Sequence, residues 1–125
     1  MIARIDPILL FVRDFQRSLD FYRNVLGLPV KSLDEVHEEF AEFDLGEITF
    51  ALHGGYEGEA QARHSDTPLA LHFWTEDIMA TSERLKERGV KFTREPRKTS
   101  LGFWEGSFED PEGNEFGLFQ EAEGA

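Results

Sequence analysis

The segment LFVRDFQRSLDFYRNVLGL, residues 10–28, contains a complete strand-to-helix signal. Apolar residues fill both phases of an alternation over residues 7–12, which predicts a strand that is buried on both faces. Asp14 follows where a helix N-cap belongs, because its carboxylate can accept from the unpaired amides of the first turn. Gly27 is placed to end the helix in a left-handed conformation. The predicted apolar stripe of this helix consists of Phe15, Leu19, Tyr22 and Leu26.

A weaker copy of this signal begins near residue 71, in the segment LHFWTEDIMATSERLKERGVKF. An alternating run over residues 69–75 leads to a second N-cap candidate, Asp77, and Gly89 closes the second predicted helix. The buried face of that helix is predicted to carry Ile78, Ser82 and Leu85. An internal duplication is therefore indicated.

Each half continues with a strand and then a hairpin. The predicted turns are Asp44 to Gly46 and Asp110 to Gly113, and the second turn has proline and glycine where a fixed and a positive φ are needed. The prediction is an α+β fold of two βαβββ modules in tandem. Its boundaries are 1–53 for the first module, 54–68 for a linker, 69–120 for the second module and 121–125 for a flexible tail.

Composition limits the possible functions. The 125 residues are 40% hydrophobic, which favours a folded domain, and the absence of cysteine excludes disulfides, thiolate nucleophiles and zinc–thiolate clusters. The formal net charge of −12 opposes nucleic-acid binding. No apolar run is long enough for a bilayer span and no signal pattern begins the sequence, so we expect a cytoplasmic protein without a membrane partner.

Charge is unevenly distributed along the chain. Acidic residues gather in residues 34–47 and from residue 105 onward, whereas basic residues gather between Arg84 and Lys98. Such runs are typical of solvated surfaces. They are also consistent with a field that attracts cationic ligands, and both interpretations stay open.

The doubled βαβββ pattern, with LLFVRDFQRSLDFYRNVLGL at its start and FEDPEGNEFGLFQ at its end, resembles the vicinal oxygen chelate superfamily of glyoxalase I, extradiol dioxygenases and bleomycin resistance proteins. The resemblance covers residues 2–120. It implies sheets that curl around a shared cleft, and usually a homodimer. One scaffold carries several chemistries in this superfamily, so the resemblance alone does not define an activity.

The resemblance also implies where metal ligands would lie. In the metalloenzymes of the superfamily, a divalent ion is held by residues on the first and last strand of each module. The corresponding residues here are Pro7, Ala51, Ala70 and Gly117. None of them offers a side-chain nitrogen or oxygen, so we expect no metal at the usual place and no other cofactor.

A displaced metal site is the alternative. His53 and His72 each lie two residues beyond a vacated position and share its strand face, but a two-residue step moves a donor by nearly 7 Å. His37 and His64, in acidic and linker sequence, are expected to be ordinary exposed residues.

The residues expected to face the cleft suggest a small-molecule site. Large aromatic residues beside small ones favour an apolar cavity with a few polar groups, although a single aromatic residue at strand spacing is more often part of the core than of a ligand site. One of Phe103 and Trp104 is expected to point inward. The predicted ligand-binding residues are Phe11, His53, His72, Trp74, Trp104 and Phe119.

These observations favour a metal-independent protein that sequesters an aromatic or cationic small molecule, in the manner of bleomycin resistance proteins. The sequence pairs no catalytic groups, although His53, His72, Glu105 and Glu115 could serve as an acid or base. The main alternative is a lyase, isomerase or dioxygenase of the glyoxalase type with a divalent metal at a displaced site. A regulatory module whose cleft is filled by a partner's side chain is a third interpretation.

Overall fold

The structure is a computed structural model that describes residues 1–60, 62 and 69–122. It divides into two compact units, Met1–Glu59 and Ala60–Ala125, and each is described here by itself. The division falls inside the predicted linker, 54–68. Residue 61 and residues 63–68 of that linker, and the end of the predicted tail, 121–125, lie outside the described residues, so these boundaries stay predictions.

The first module contains a helix and a four-stranded mixed sheet. Strand β1 pairs in parallel with β4, and the other neighbouring strands are antiparallel, in the spatial order β1-β4-β3-β2. The elements are β1 (Ile8–Phe11), α1 (Phe15–Asp20), a π-helical segment (Phe21–Val25), β2 (Val30–Asp34), β3 (Phe40–Asp44) and β4 (Thr49–His53).

The second module repeats this arrangement. Strand β5 pairs in parallel with β8, and the spatial order β5-β8-β7-β6 is equivalent to that of the first sheet. The elements are β5 (His72–Trp74), α2 (Ile78–Glu87), β6 (Lys91–Lys98), β7 (Trp104–Glu109) and β8 (Glu115–Gln120). The predicted α+β fold of tandem βαβββ modules is confirmed.

The helix caps lie where the sequence predicts them. The carboxylate of Asp14 accepts from the backbone N–H of Arg17 at 3.1 Å, and that of Asp77 accepts from Ala80 at 3.1 Å. Gly27 and Gly89 both have a positive φ, which glycine adopts without strain. The buried residues of α2 are the three predicted ones, Ile78, Ser82 and Leu85.

The first helix differs from the prediction in its second half. After Asp20 the backbone widens to i→i+5 hydrogen bonding, so that the N–H of Leu26 bonds to the carbonyl of Phe21. This π-helical segment allows two successive aromatic residues, Phe21 and Tyr22, to be buried.

Among the described residues, neither helical run has the length and apolar character needed to cross a bilayer.

Aromatic rings form the core between each helix and one face of its sheet. In the first module the ring centroid of Tyr22 lies 5.1 Å from that of Phe50 and 6.2 Å from that of Phe43. In the second module Phe73 contacts Phe108 and Phe116. Since side chains alternate along a strand, the remaining strand residues form a second face on each sheet, opposite the helix.

Strand β1 is not buried on both faces, which corrects the sequence-based expectation. Leu9 and Phe11 are 41% and 50% exposed, whereas Ile8 and Leu10 are shielded more. The physical reason is that β1 is an edge strand with a helix on one side only. The continuous apolar run in β1 therefore reflects a second face of this strand that is apolar but accessible.

The hairpin turns match the prediction. Gly46 and Gly113 have positive φ, and the Asp110 carboxylate accepts from the N–H groups of Glu112 and Asn114. The second turn also fixes Ala62, whose carbonyl accepts from the N–H of Glu115 at 2.6 Å. Ala62 of the predicted linker is thus attached to the second module.

Candidate functional site

On the first sheet, His53 lies between two phenylalanines on the second face. Strand register places it beside Phe11 of β1 and Phe40 of β3. The ring centroids of Phe11 and Phe40 lie 5.4 Å and 6.0 Å from that of His53. An imidazole flanked in this way offers a planar ligand both stacking partners and a polar contact.

A backbone contact fixes the hydrogen-bonding role of this histidine. Nδ1 of His53 lies 2.7 Å from the carbonyl oxygen of Gly54, which can only accept, so Nδ1 carries the proton. In the neutral imidazole, Nε2 then carries the lone pair. His53 is therefore suited to accept a hydrogen bond from a ligand.

Gly54 is itself held by Glu39, which has an unusual backbone conformation. Glu39 has φ +49°, and its carbonyl accepts from the N–H of Gly54 at 2.8 Å. A Cβ atom on Gly54 would lie 2.6 Å from Oε1 of Glu39, so a larger residue would displace this side chain. A non-glycine residue in the left-handed region costs of order 1–3 kcal/mol. Here the conformation of Glu39 determines where β3 begins and hence the position of Phe40.

On the second sheet, the second face carries a cluster in which one histidine and two aromatic rings surround Phe119. Trp74 is the register partner of Phe119, and the Phe103 ring lies 5.1 Å from it. The imidazole of His72 meets the Phe119 ring edge-on, with a centroid distance of 6.4 Å. Trp74 is 60% exposed, so the cluster is accessible.

The imidazole of His72 lies over Gly117, its register partner on β8. A Cβ atom on Gly117 would be 2.6 Å from Nε2 and 2.9 Å from Cγ of His72. The same Nε2 lies 3.8 Å from Oε2 of Glu105 on β7, which completes a half-buried pair of titratable groups. Lack of a side chain at Gly117 is what allows the imidazole to occupy this place.

The structure brings most of the predicted ligand-binding residues into two groups. Phe11 and His53 lie together on the first sheet, and His72, Trp74 and Phe119 lie together on the second. Whether these groups bind a ligand stays a prediction.

Trp104 is the exception, and its predicted place is corrected. It pairs in register with Gln120 and alternates in phase with Gly106 and Phe108, which puts it on the helix side of the sheet. The side chain of Gln120 confirms that side, since its Oε1 accepts from the N–H of Ile78 at the start of α2. Phe103, the other residue considered, contacts Phe119 instead.

Two of the candidate acids differ in accessibility. Glu105 retains 20% of its side-chain exposure and pairs with His72. Glu115 has the same strand parity but is only 5% exposed, so it is a poor candidate for contact with a ligand.

His37 is exposed, as predicted, and lies 3.6 Å from Asp34; His64 lies outside the described residues. Hydrogen bonds from the backbone of His37 and Val36 hold the pKa of Asp34 below its usual value.

An open groove of about 690 Å³ lies elsewhere on the first module, beside the turn between β3 and β4. Its polar groups bond to one another: Asp6 accepts from the N–H of Thr49 and pairs with Arg4, and Lys31 donates to the Thr49 hydroxyl. The Thr49 hydrogen bond, with smaller effects of Arg4 and Lys31, lowers the pKa of Asp6. None of the predicted ligand-binding residues lines this groove.

The residues present do not fit the metal site that the fold implies. Within the described part of the chain, no group of three or more His, Asp or Glu side chains is arranged to hold an ion. The four positions implied by the resemblance carry no donor side chain, and one of them, Gly117, is covered by His72.

Comparison with known proteins establishes the family. The chain belongs to the glyoxalase/bleomycin resistance protein/dioxygenase superfamily, whose sequence profile matches residues 4–118. It is 35% identical over 102 residues to the uncharacterized protein YraH of Bacillus subtilis (strain 168), covering 71% of this chain and 75% of that protein.

Solved structures support the same assignment. A member of this superfamily from Sphaerobacter thermophilus DSM 20745 is 28% identical, with a TM-score of 0.75 and coverage of 96% of this chain and 98% of that one. A glyoxalase/bleomycin resistance protein from Streptomyces sp. CB03234 is 25% identical, with a TM-score of 0.74 and coverage of 92% and 98%.

Proposed function

We propose that the protein is a metal-independent member of its superfamily that binds and sequesters a small aromatic or cationic molecule. The observation that carries this proposal is the position of the His72 imidazole over Gly117. The resemblance puts a metal-binding carboxylate at residue 117, and a side chain there would have to displace the ring. The place that a metal-binding side chain at residue 117 would fill is thus occupied by the His72 ring, which is aromatic and can form hydrogen bonds.

Two accessible aromatic groups support ligand binding. The first consists of Phe11, Phe40 and His53, and the second of His72, Trp74, Phe103 and Phe119. Accessible aromatic rings with a few polar groups are the usual composition of small-molecule sites. The net charge of −12 would raise the local concentration of a cationic ligand.

A second candidate function is favoured by the pair of His72 and Glu105. Their nitrogen and oxygen lie 3.8 Å apart, which would let both contact one divalent ion. This is the alternative of a glyoxalase-type lyase, isomerase or dioxygenase with a displaced metal. A catalytic site of this type needs about three protein ligands, so two donors support it less well than they support metal-independent binding.

Elemental analysis combined with calorimetry distinguishes the two functions. The protein is purified without chelators, its content of Ni, Zn, Mn and Fe is measured, and it is titrated with planar aromatic compounds and cationic glycopeptides. We expect substoichiometric metal and saturable binding of at least one aromatic or cationic compound. Stoichiometric metal would favour the enzyme, and absence of saturable binding across the panel would overturn sequestration.

We further propose that the protein acts as a homodimer in the cytoplasm. Support for the dimer comes from the superfamily resemblance and from the separation of acidic and basic segments, which would let two copies meet with complementary charge. Sedimentation at micromolar concentration tests it, and a species of 14.4 kDa alone would contradict it.

A further inference from the structure

We infer that the first sheet selects planar aromatic molecules that carry an N–H or O–H group on the ring edge, and that His53 accepts the hydrogen bond from this group through Nε2. The inference rests on the proposed function and deepens it, because it names the ligand class and two further residues, Glu39 and Gly54, that hold the histidine in the required state. The acceptor site is defined here as Phe11, Phe40 and His53.

The proton on Nδ1 of His53 is held in place by a buried backbone group. Gly54 is buried, and its carbonyl oxygen lies 2.7 Å from Nδ1. Because a carbonyl only accepts, the other tautomer would set two lone pairs against each other and leave the carbonyl without this donor. An unsatisfied buried acceptor is unfavourable, so the structure favours the tautomer with the proton on Nδ1.

The backbone around His53 is fixed on both sides, which keeps the Gly54 carbonyl directed at the ring. The carbonyl of His53 accepts from the N–H of Val12 at 2.9 Å, and the N–H of Gly54 donates to the carbonyl of Glu39 at 2.8 Å. The Glu39 side chain covers Gly54, because a Cβ atom there would be 2.6 Å from Oε1 and 2.9 Å from Cβ of Glu39. Glu39 and Gly54 are therefore positioning residues for His53.

Nε2 of His53 is the ring nitrogen that remains for a ligand. With the proton on Nδ1, Nε2 carries the lone pair of the neutral ring. Within residues 1–60, 62 and 69–122, no group forms a hydrogen bond with it. The buried side-chain atoms that lack a partner in this part of the chain are the hydroxyl oxygens of Ser18 and Thr99, so Nε2 keeps contact with solvent.

The residues beside His53 favour a flat ligand. Phe11 is 50% exposed and tilted by 45° to the imidazole, and Phe40 meets the imidazole edge-on at 68°. Leu9, the preceding residue of β1 on this face, is 41% exposed and has the small residue Ala51 as its register partner. A flat ring placed over this apolar surface gains burial, and a donor on its edge can reach Nε2.

Two acids near Phe40 have partners of their own. Asp34, the register partner of Phe40 on β2, accepts from two backbone N–H groups of the loop that follows it. Glu42, two residues along β3, accepts from the Ser32 hydroxyl at 2.6 Å. The polar group that both rings flank is His53, which recognises a donor through a lone pair, so the ligand needs no charge.

Two isomers test this selectivity, because they have the same size and differ in the donor. 3-Methylindole has a ring N–H, whereas 1-methylindole carries its methyl group on that nitrogen. Calorimetry of the intact chain at pH 8, where histidines of ordinary acidity are neutral, measures both affinities. We expect 3-methylindole to bind about fivefold more tightly, as one net hydrogen bond provides. Equal affinities would overturn the inference.

Two variants assign the preference to a residue. His53→Phe keeps a flat ring but removes both nitrogens, so the two isomers should bind equally, and retained binding of 1-methylindole shows that the variant folds. His37→Phe is the matched control, because it makes the same change at an exposed histidine of the first module outside the acceptor site, and the preference should persist. A preference that also persists in His53→Phe would contradict the role of Nε2.

Nitrogen-15 NMR of the histidine rings reads the proton position in the parent protein itself. We expect His53 to carry its proton on Nδ1 at pH 8, and 3-methylindole, but not 1-methylindole, to shift the Nε2 resonance as a hydrogen bond forms. A proton on Nε2 in the free parent protein would overturn the inference.

The same spectrum tests the positioning residues. Gly54→Ala should displace the Glu39 side chain, move part of the His53 population to the tautomer with the proton on Nε2, and lower the preference for 3-methylindole. A merely structural effect would weaken both isomers alike and leave the tautomer unchanged. That result would contradict the role of Glu39 and Gly54.

The outcomes separate this inference from the proposed function. Equal affinities of the isomers, or binding of planar compounds only when they lack a donor, overturns the inference and leaves metal-independent sequestration in place. Failure of every aromatic and cationic compound to bind overturns both.

Discussion

The imidazole of His72 and the backbone of Gly117 are mutually dependent: a Cβ atom on residue 117 would lie 2.6 Å from Nε2 of His72. Even an alanine there requires the ring to turn away, because Cγ would also be only 2.9 Å distant. The position that the superfamily resemblance assigns to a metal ligand is therefore coupled to a histidine on the neighbouring strand.

This coupling predicts a non-additive pair of substitutions. Gly117→Ala should lower the free energy of unfolding by about 1–3 kcal/mol, as overpacking does. In a His72→Ala background the same change should cost at least about 1 kcal/mol less, because the obstructing ring is gone. Urea unfolding of the parent, both single variants and the double variant measures this. Equal costs in the two backgrounds would show that the ring does not lie over residue 117.

The two faces of the first sheet should respond differently to loss of an aromatic ring. Phe50, on the helix side, is 2% exposed, whereas Phe11, on the second face, is 50% exposed. Phe50→Ala should cost about 3–5 kcal/mol of unfolding free energy, and Phe11→Ala only about 1 kcal/mol. Chemical denaturation measures both, and a cost at Phe11 as large as that at Phe50 would contradict the face assignment.

The hydrogen bond from Thr49 to Asp6 predicts a pH-dependent contribution to stability. The folded-state pKa of Asp6 is lowered, so the charged carboxylate stabilises the fold above the unfolded-state pKa of about 3.9, and this contribution disappears as the pH falls through the folded-state pKa. Asp6→Asn keeps an acceptor for Thr49 but removes the charge.

The variant should therefore be less stable than the parent at pH 7, and the difference should be smaller at pH 2.5. Urea unfolding at the two pH values gives the comparison, with Glu121→Gln as a control at an exposed acid. A stability difference that does not change with pH would contradict the assigned role of the charge.

Much of the fold follows from local sequence chemistry. The caps Asp14 and Asp77 and the turn glycines are local signals, because each satisfies a backbone group or a backbone angle within a few residues. The π-helical segment is not such a signal. Helical periodicity marks Tyr22 but not Phe21, and only packing of both rings makes the wider turn favourable.

The site depends more strongly on register between distant strands. Alternation along β8 correctly puts Phe119 and Gly117 on one face, but the pairing of β7 with β8 decides that Phe103 and Glu105 share it and Trp104 does not. A shift of one residue would reverse the result, and the sequence of a single strand does not contain its register. The pairing of His72 with Glu105 could not be predicted for the same reason.

Ligand binding with and without metal tests the central claim most directly. The protein is dialysed against EDTA, and its affinity for the best aromatic or cationic ligand is measured by calorimetry before and after addition of Ni, Zn, Mn or Fe. The account predicts the same affinity, within about twofold, in all conditions. Loss of binding in EDTA and its recovery with one of these ions would contradict it.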